Sequence, residues 1–227
     1  MPKNKQRKFS EINTFANVVQ PGYRFPISDH PIKGQWRQNF FYNTNPVILE
    51  IGCGKGEYTT GMATAWPEKN FIGIDIKGNR IWTGAKYALE NALNNTGFLR
   101  VQAEHLACFF ERDEVSGIWI TFPDPHPSKR RERKRLTSPR FLNMYRCFLA
   151  PGAPVFLKTD NKLLYQYTLR IIEQEGHSLA FATDDLYGKP PDMDPVILNI
   201  QTYYEQKFLE QGEKICFVQF TLKPLGI

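Results

Sequence analysis

Residues 46–57 read Pro46-Val-Ile-Leu-Glu50-Ile-Gly52-Cys-Gly54-Lys-Gly56-Glu57. A short apolar run ending in alternating glycines is the pattern of a buried strand that turns tightly into a helix. A second apolar run, Asn70-Phe-Ile-Gly-Ile-Asp75, closes on an acid nineteen residues after Gly56. With that spacing the glycine turn can approach a ligand closely while the acid accepts hydrogen bonds from ribose hydroxyls. The dinucleotide fingerprint wants a glycine at position 57, where Glu57 stands instead. An acid at a helix start opposes a pyrophosphate, so a cationic ligand without phosphate fits better. Glu50, just before the turn, is placed to meet a positive group. Adenosine, a positive charge and no phosphate together point to S-adenosylmethionine. A plain strand–turn–helix corner would explain the glycines but not the acid at the end of the next strand.

Outward from this turn, strands are expected at 46–51, 70–75, 98–101, 117–122, 154–159, 178–183 and 214–222. Helices are expected at 58–65, 79–94, 139–149, 162–175 and 202–211. Alternating strands and helices argue a parallel sheet covered on both faces. The expected fold is α/β and Rossmann-like, the class I methyltransferase type, with a mostly parallel seven-stranded sheet. Residues 41–227 form one domain in this reading. Residues 1–40 form a basic, partly flexible arm, interrupted by Pro21, Gly22, Pro26, Pro31 and Gly34, that is irregular or folds back.

Ligands of such sheets lie beyond the carboxyl ends of the strands, and the strand at 117–122 leaves as Phe122-Pro-Asp124-Pro-His126-Pro-Ser128. Prolines at 123 and 125 hold Asp124 at little entropic cost. Lys129, Arg130, Arg131, Arg133, Lys134 and Arg135 follow, with only Glu132 to offset them. An ordinary proline turn beside a solvated basic face is the bland interpretation. An acid at a ligand-binding strand end next to a dense cationic strip favours nucleic acid. A second cluster, Lys3, Lys5, Arg7 and Lys8, reads more simply as a soluble tail.

Composition narrows the class. The chain has 227 residues, a formal net charge of +6 and 14% aromatic residues, which suits a folded domain. No apolar run reaches the ~18 residues of a membrane span, and no apolar stretch follows the basic N-terminus to make a secretory signal. Cys53, Cys108, Cys147 and Cys216 are far apart and form no metal-spaced set. Neither zinc nor a disulfide framework is indicated, and a reducing cytoplasm fits.

The chain resembles the bacterial tRNA (guanine-N7)-methyltransferase family over residues 40 to 220. That family's pattern is E-x-G-x-G-x-G, an acid ending the second strand, F-P-D-P-W-P-K-x-R-H-x-K-R-R, T-D-N and T-x-Y-E-x-x-F. Here it reads Glu50 to Gly56, Asp75, Phe122 to Leu136, Thr159-Asp160-Asn161, and Thr202-Tyr203-Tyr204-Glu205-Gln-Lys-Phe208. The resemblance implies methylation of the guanine at position 46 in the tRNA variable loop. It implies cofactor contacts at Glu50, Gly52, Gly54, Gly56, Asp75 and Gln102, and a catalytic Asp124 shared by cofactor and guanine. Ser128, Lys129, Arg130, Arg131, Asp160, Thr202, Tyr203, Tyr204 and Glu205 become tRNA or guanine contacts. The chain departs from the family in three places. Gln102 replaces an acid near the adenine, His126 replaces a tryptophan, and Ser128 stands where a lysine contacts substrate, with Lys129 one place later. His126 reads as a loop packing residue. The implied partner is tRNA, with the protein a monomer or a homodimer and neither membrane nor metal involved. Two other readings remain open: the same fold acting on rRNA or a small molecule, and a non-catalytic RNA-binding subunit.

Overall fold

The computed structural model describes residues 3–21, 28–190, 192 and 195–224. Eight strands form one sheet: β1 (Val18–Val19), β2 (Val47–Ile51), β3 (Asn70–Ile74), β4 (Thr96–Leu99), β5 (Val115–Thr121), β6 (Pro154–Thr159), β7 (Ser178–Thr183) and β8 (Cys216–Thr221). Their spatial order is β1-β4-β3-β2-β5-β6-β8-β7. All pairs from β1 to β6 are parallel, and β8 runs antiparallel between β6 and β7. The chain winds outward from β2 through β3 to β4 and then returns to place β5 on the other side of β2. The reversal leaves a crevice at the carboxyl ends of β2 and β5, where ligands of open parallel sheets bind.

Period-two alternation divides the core. Leu49, Ile51, Ile118, Ile120, Val155 and Leu157 share one buried cluster with Leu142 and Tyr145 of α4 (Pro139–Tyr145) and Leu164 of α5 (Lys162–Gln174). On the opposite face Phe71, Trp119, Phe156 and Phe217 pack with Tyr58 and Met62 of α2 (Glu57–Ala65). The Trp119 and Phe156 rings stack with centroids 4.1 Å apart. That same face carries Glu50, Thr121 and Lys158, so three polar side chains lie where the alternation calls for buried ones.

The sheet has eight strands instead of the expected seven. The extra strand is β1, whose two residues pair with Phe98 and Leu99 of β4, too short a run to show a period. The segment expected as an arm also contributes to the core. Its helix α1 (Lys3–Glu11) packs on α3 (Gly78–Glu90), where Trp82 Nε1 donates to Glu11 Oε2 at 2.8 Å and Lys8 Nζ lies 4.2 Å from the Trp82 ring centre. Ile12 and Trp36 are buried, and the Glu114 carboxylate accepts from the main-chain N–H groups of Gly34 and Trp36 at 2.9 and 3.2 Å. Gly22 and Pro26 lie outside the described residues. No helix among the described residues is long and apolar enough to cross a membrane.

Candidate active site

The glycine loop is built by main-chain hydrogen bonds. Gly52 and Cys53 donate to the Ile74 carbonyl at 2.8 and 2.9 Å, so β3 fixes the direction in which β2 ends. Gly56 adopts φ +76° as the N-cap of α2, and an added Cβ there would lie 2.7 Å from the Phe98 ring. Only glycine meets both constraints. Gly54 faces open space instead, with nothing within 4 Å of where a Cβ would stand. Its N–H donates to Asp75 Oδ2 at 3.1 Å, and Lys77 N–H donates to Oδ1 at 2.8 Å, which orients the acid beside the loop.

A hollow lies on each side of this loop, and Gly52 and Arg80 line both. One is walled by Ile74, Val101, Ala103 and Leu136 with Asp75 at its edge. The other reaches from Gly54 to Thr121, Phe122 and Tyr203 over Glu50. Side by side, they offer an apolar slot with one acid and a polar chamber with another. Gln102 is exposed and does not line either hollow, although its neighbours Val101 and Ala103 line the first.

Glu50 is 1% exposed, and its two carboxylate oxygens accept from the Thr59 and Thr121 hydroxyls. Burial pushes its pKa up to about 7, against the pull of those hydroxyls. It forms the floor of the polar chamber.

The Asp124 loop is wound by two residues in left-handed conformation, Phe122 at φ +47° and His126 at φ +41°. Phe122 N–H is anchored on the Lys158 carbonyl at 2.9 Å. Asp124 Oδ1 accepts from the His126 N–H at 3.1 Å, and the side chain remains 71% exposed. Arg135 holds the loop from behind. Its guanidinium donates to the carbonyls of Pro125 and His126, both at 3.0 Å, and lies 4.2 Å from the Tyr167 ring centre. With its side chain only 4% exposed, Arg135 belongs to the loop and not to the cationic surface. That corrects the expected strip: Lys129, Arg130, Arg131, Arg133 and Lys134 are exposed on or around one 3₁₀ turn (Lys129–Lys134) capped by exposed Ser128. A 3₁₀ turn advances three residues per turn, which leaves Arg135 free to point inward.

The opposite rim comes from Thr202, Tyr203 and Tyr204 at the start of α7 (Tyr203–Glu210), which follows the short α6 (Val196–Asn199), whereas Asp160, just after β6, lines neither hollow. Asp160 is half-buried, and burial raises its pKa above the ordinary carboxylate value. Thr202 caps α7, with its hydroxyl accepting from Glu205 N–H at 3.2 Å while Glu205 Oε2 accepts from Thr202 N–H at 3.4 Å. Tyr203 and Tyr204 are 54% and 49% exposed and meet edge to face at 5.6 Å. Glu205, expected among the substrate contacts, does not face the cleft. It is fully buried, and its Oε1 lies 2.6 Å from the ammonium of Lys158. A capping box turns the N3 acid back toward its own helix end, and here the buried lysine holds it there.

Three residues that sequence reasoning did not assign to the site shape it. Glu57, noted only as a departure from the dinucleotide fingerprint, accepts from Tyr203 N–H at 3.1 Å and so joins α2 to α7. Lys55 Nζ lies 4.9 Å from the Tyr203 ring centre. Lys158 carried a legible signal, a charge at an inward position of an apolar strand. Among the described residues no group of acids, histidines and cysteines could hold a metal, and no two cysteines form a disulfide.

A family model described as "Putative methyltransferase" matches residues 44–218. The tRNA (guanine-N(7)-)-methyltransferase of Christiangramia forsetii is 46% identical over 97% of this chain and 99% of its own. That of Porphyromonas gingivalis is 47% identical over 93% of this chain and 86% of its own. Among solved structures, the 16S rRNA methyltransferase KamB superposes with a TM-score of 0.63 at 17% identity, covering 92% of this chain and 99% of KamB. At that identity the likeness speaks to the fold alone, a Rossmann-like methyltransferase sheet. The two curated relatives extend over nearly the whole chain at over 40% identity, and the chain belongs to the tRNA (guanine-N(7)-)-methyltransferase family.

Proposed function

We propose that this chain transfers a methyl group from S-adenosylmethionine to N7 of the guanine at position 46 in the tRNA variable loop, giving 7-methylguanosine. The observation that carries this reading is a juxtaposition at the carboxyl ends of β2, β5 and β6. A two-chambered glycine-loop cleft with Asp75 and Glu50 opens there beside Asp124 and a strip of exposed cations. The enzyme works in the cytoplasm as a monomer or homodimer, on tRNA and without a metal.

The residues present fit the cofactor. The apolar slot of Ile74, Val101, Ala103 and Leu136 suits an adenine, with Gln102 beside its mouth to offer hydrogen bonds. Asp75 keeps lone pairs for the ribose hydroxyls, and the bare Cα of Gly54 leaves room for the chain that follows. Glu50 lies under the chamber that would take the amino-acid end. Bound there, the cofactor supplies an electrophilic methyl group on a sulfonium.

Guanine N7 carries an in-plane lone pair and no proton, so the chain needs no general base. With the cofactor held by these residues, N7 would give its electron pair to the methyl carbon as the carbon–sulfur pair returned to sulfur, leaving a cationic base and a neutral thioether. The residues therefore work by alignment and charge. Asp124 and Asp160 accept from guanine N1–H and N2–H, which selects guanine over adenine, and stabilise the charge that develops on the base. The base leaves its tertiary contact in tRNA to enter the cleft, where Thr202, Tyr203 and Tyr204 give it a rim on which to stack. Ser128, Lys129, Arg130 and Arg131 hold phosphates. Lys5, Arg7 and Lys8 of α1 add further positive charge for phosphates.

Methyl transfer to an unmodified tRNA transcript, with the product nucleoside identified, is expected to yield 7-methylguanosine, and a transcript with adenine at position 46 should accept none. Asp124→Ala is expected to lower kcat by about 100-fold; a wild-type rate would remove Asp124 from catalysis.

Glu50 sets a pH dependence. With its pKa near 7, Glu50 is mostly protonated at pH 6. An arriving ammonium favours the carboxylate, so cofactor binding at pH 6 should release a proton and tighten as pH rises toward 8. Calorimetry in two buffers of different ionisation heat measures this release. Glu50→Gln should reduce it, and a release identical in both proteins would contradict the role.

Neutralising Lys129, Arg130 and Arg131 together should flatten the slope of log affinity against log salt by about 2 to 3. Arg135→Ala should instead lower kcat while leaving that slope intact, because its guanidinium holds the loop and not the RNA. An unchanged slope in the triple variant, or a flattened one in Arg135→Ala, would reverse these assignments.

A further inference from the structure

Lys158 has no part in the chemistry, yet it stands between both shores of the cleft. It lies in β6 on the α2 face, in register with Thr121 of β5 and Phe217 of β8. Its side chain is fully buried and its three donors are all engaged: with Glu205 Oε1 at 2.6 Å, the Ile197 carbonyl at 3.4 Å and the Ile200 carbonyl at 3.5 Å. The Tyr187 hydroxyl donates to the same Glu205 oxygen at 2.7 Å, and Gln201 Nε2 donates to that hydroxyl at 3.2 Å. The other Glu205 oxygen closes the capping box on Thr202. This network is fully connected, which is the condition under which buried charge specifies one geometry.

The network reaches the two sides of the cleft through one residue. The Lys158 carbonyl accepts from Phe122 N–H and starts the Asp124 loop. The Lys158 ammonium, through Glu205, fixes the first turn of α7 and with it Thr202, Tyr203 and Tyr204. The Phe122 ring also lies against Phe208 of α7, with centroids 6.1 Å apart. An apolar pair of similar size would stabilise the fold about as well. What the ion pair adds is a single allowed placement of α7 against β6.

We infer that Lys158, Glu205 and Tyr187 are positioning residues that set the distance between the Asp124 loop and the Thr202–Tyr204 rim. Glu205 acts on the substrate only through that rim and does not touch the guanine. The inference rests on the proposed tRNA methylation and sharpens the assignment of roles within it. Its distinguishing consequence is rescue: a neutral pair that fills the same space restores what either single change removes.

The test compares wild type with Lys158→Met, Glu205→Gln, the double variant Lys158→Met/Glu205→Gln, and Tyr187→Phe. The quantities measured are kcat and KM for a tRNA transcript, cofactor affinity by calorimetry, and hydrogen-exchange protection of the α7 amides. Each of the first two single variants should lose about 100-fold in kcat/KM while still binding cofactor on the Asp75 side. Each should also lose protection in α7, because a buried partner is left unpaired. The double variant should regain at least about tenfold in kcat/KM and recover α7 protection. Tyr187→Phe, which strands no charge, should lower kcat/KM with cofactor affinity unchanged. A double variant that binds cofactor and stays as low as Glu205→Gln overturns the inference, since the carboxylate itself is then required at the guanine. Wild-type kcat/KM in Tyr187→Phe overturns it too, and decides the matter if the double variant does not fold. A wild-type protein inactive on tRNA would remove the proposed function; α7 protection unchanged in the single variants would then overturn the positioning role independently.

Discussion

A carboxylate of β2 and an ammonium of β6 are buried at the carboxyl ends of the two parallel strands that flank β5, and the surroundings of the cleft are arranged to keep them there. Removing such groups from water costs several kcal/mol each unless their hydrogen bonds are replaced. Glu50 is served by Thr59 and Thr121, and Lys158 by Glu205 and two carbonyls of the segment before α7. Each partner comes from a different element, so satisfying the two charges draws α2, β5 and α7 together around the crevice where the winding of the sheet reverses. Burial leaves Glu50 near neutral pH, sensitive to any cation that enters the chamber above it.

The Asp124 loop follows a second logic, strain held by a clamp. Left-handed conformations at Phe122 and His126 cost about 1–3 kcal/mol each where no glycine relieves them. Prolines at 123 and 125 remove alternatives, and Arg135 fastens the two carbonyls that the turn exposes. The result is an acid held in the open before any ligand arrives. For a reaction that needs alignment and no proton transfer, this preorganisation is the main thing a protein can contribute.

Much of this was legible in the sequence because it is local. The turn from β2 into α2 follows from apolar residues meeting glycines, and β6 and β7 lie where their apolar runs begin and end. Asp75 follows from spacing, and its carboxylate does stand beside the glycine loop, where it accepts from Gly54 N–H. Contacts between distant segments were not legible. Two residues at 18–19 show no alternation until β4 offers them an edge. Arg135 looked like one more cation in a run of cations, and only the 3₁₀ turn reveals that it faces inward. The motif at 202–208 named Glu205 as important without saying which way it points. Its partner Lys158 was the available clue, a charge where β6 turns toward the core.

The arrangement proposed for the cleft rests on one division of labour: Asp75 beside the apolar slot, Glu50 beneath the polar chamber, Asp124 at the exit. A crystal structure of the chain with S-adenosylhomocysteine tests it most directly. The predicted result places the adenine among Ile74, Val101 and Ala103, the ribose hydroxyls on Asp75, the amino group above Glu50 and the sulfur turned toward Asp124. A ligand bound outside these two hollows, or one with its sulfur turned away from the Asp124 loop, would contradict the account.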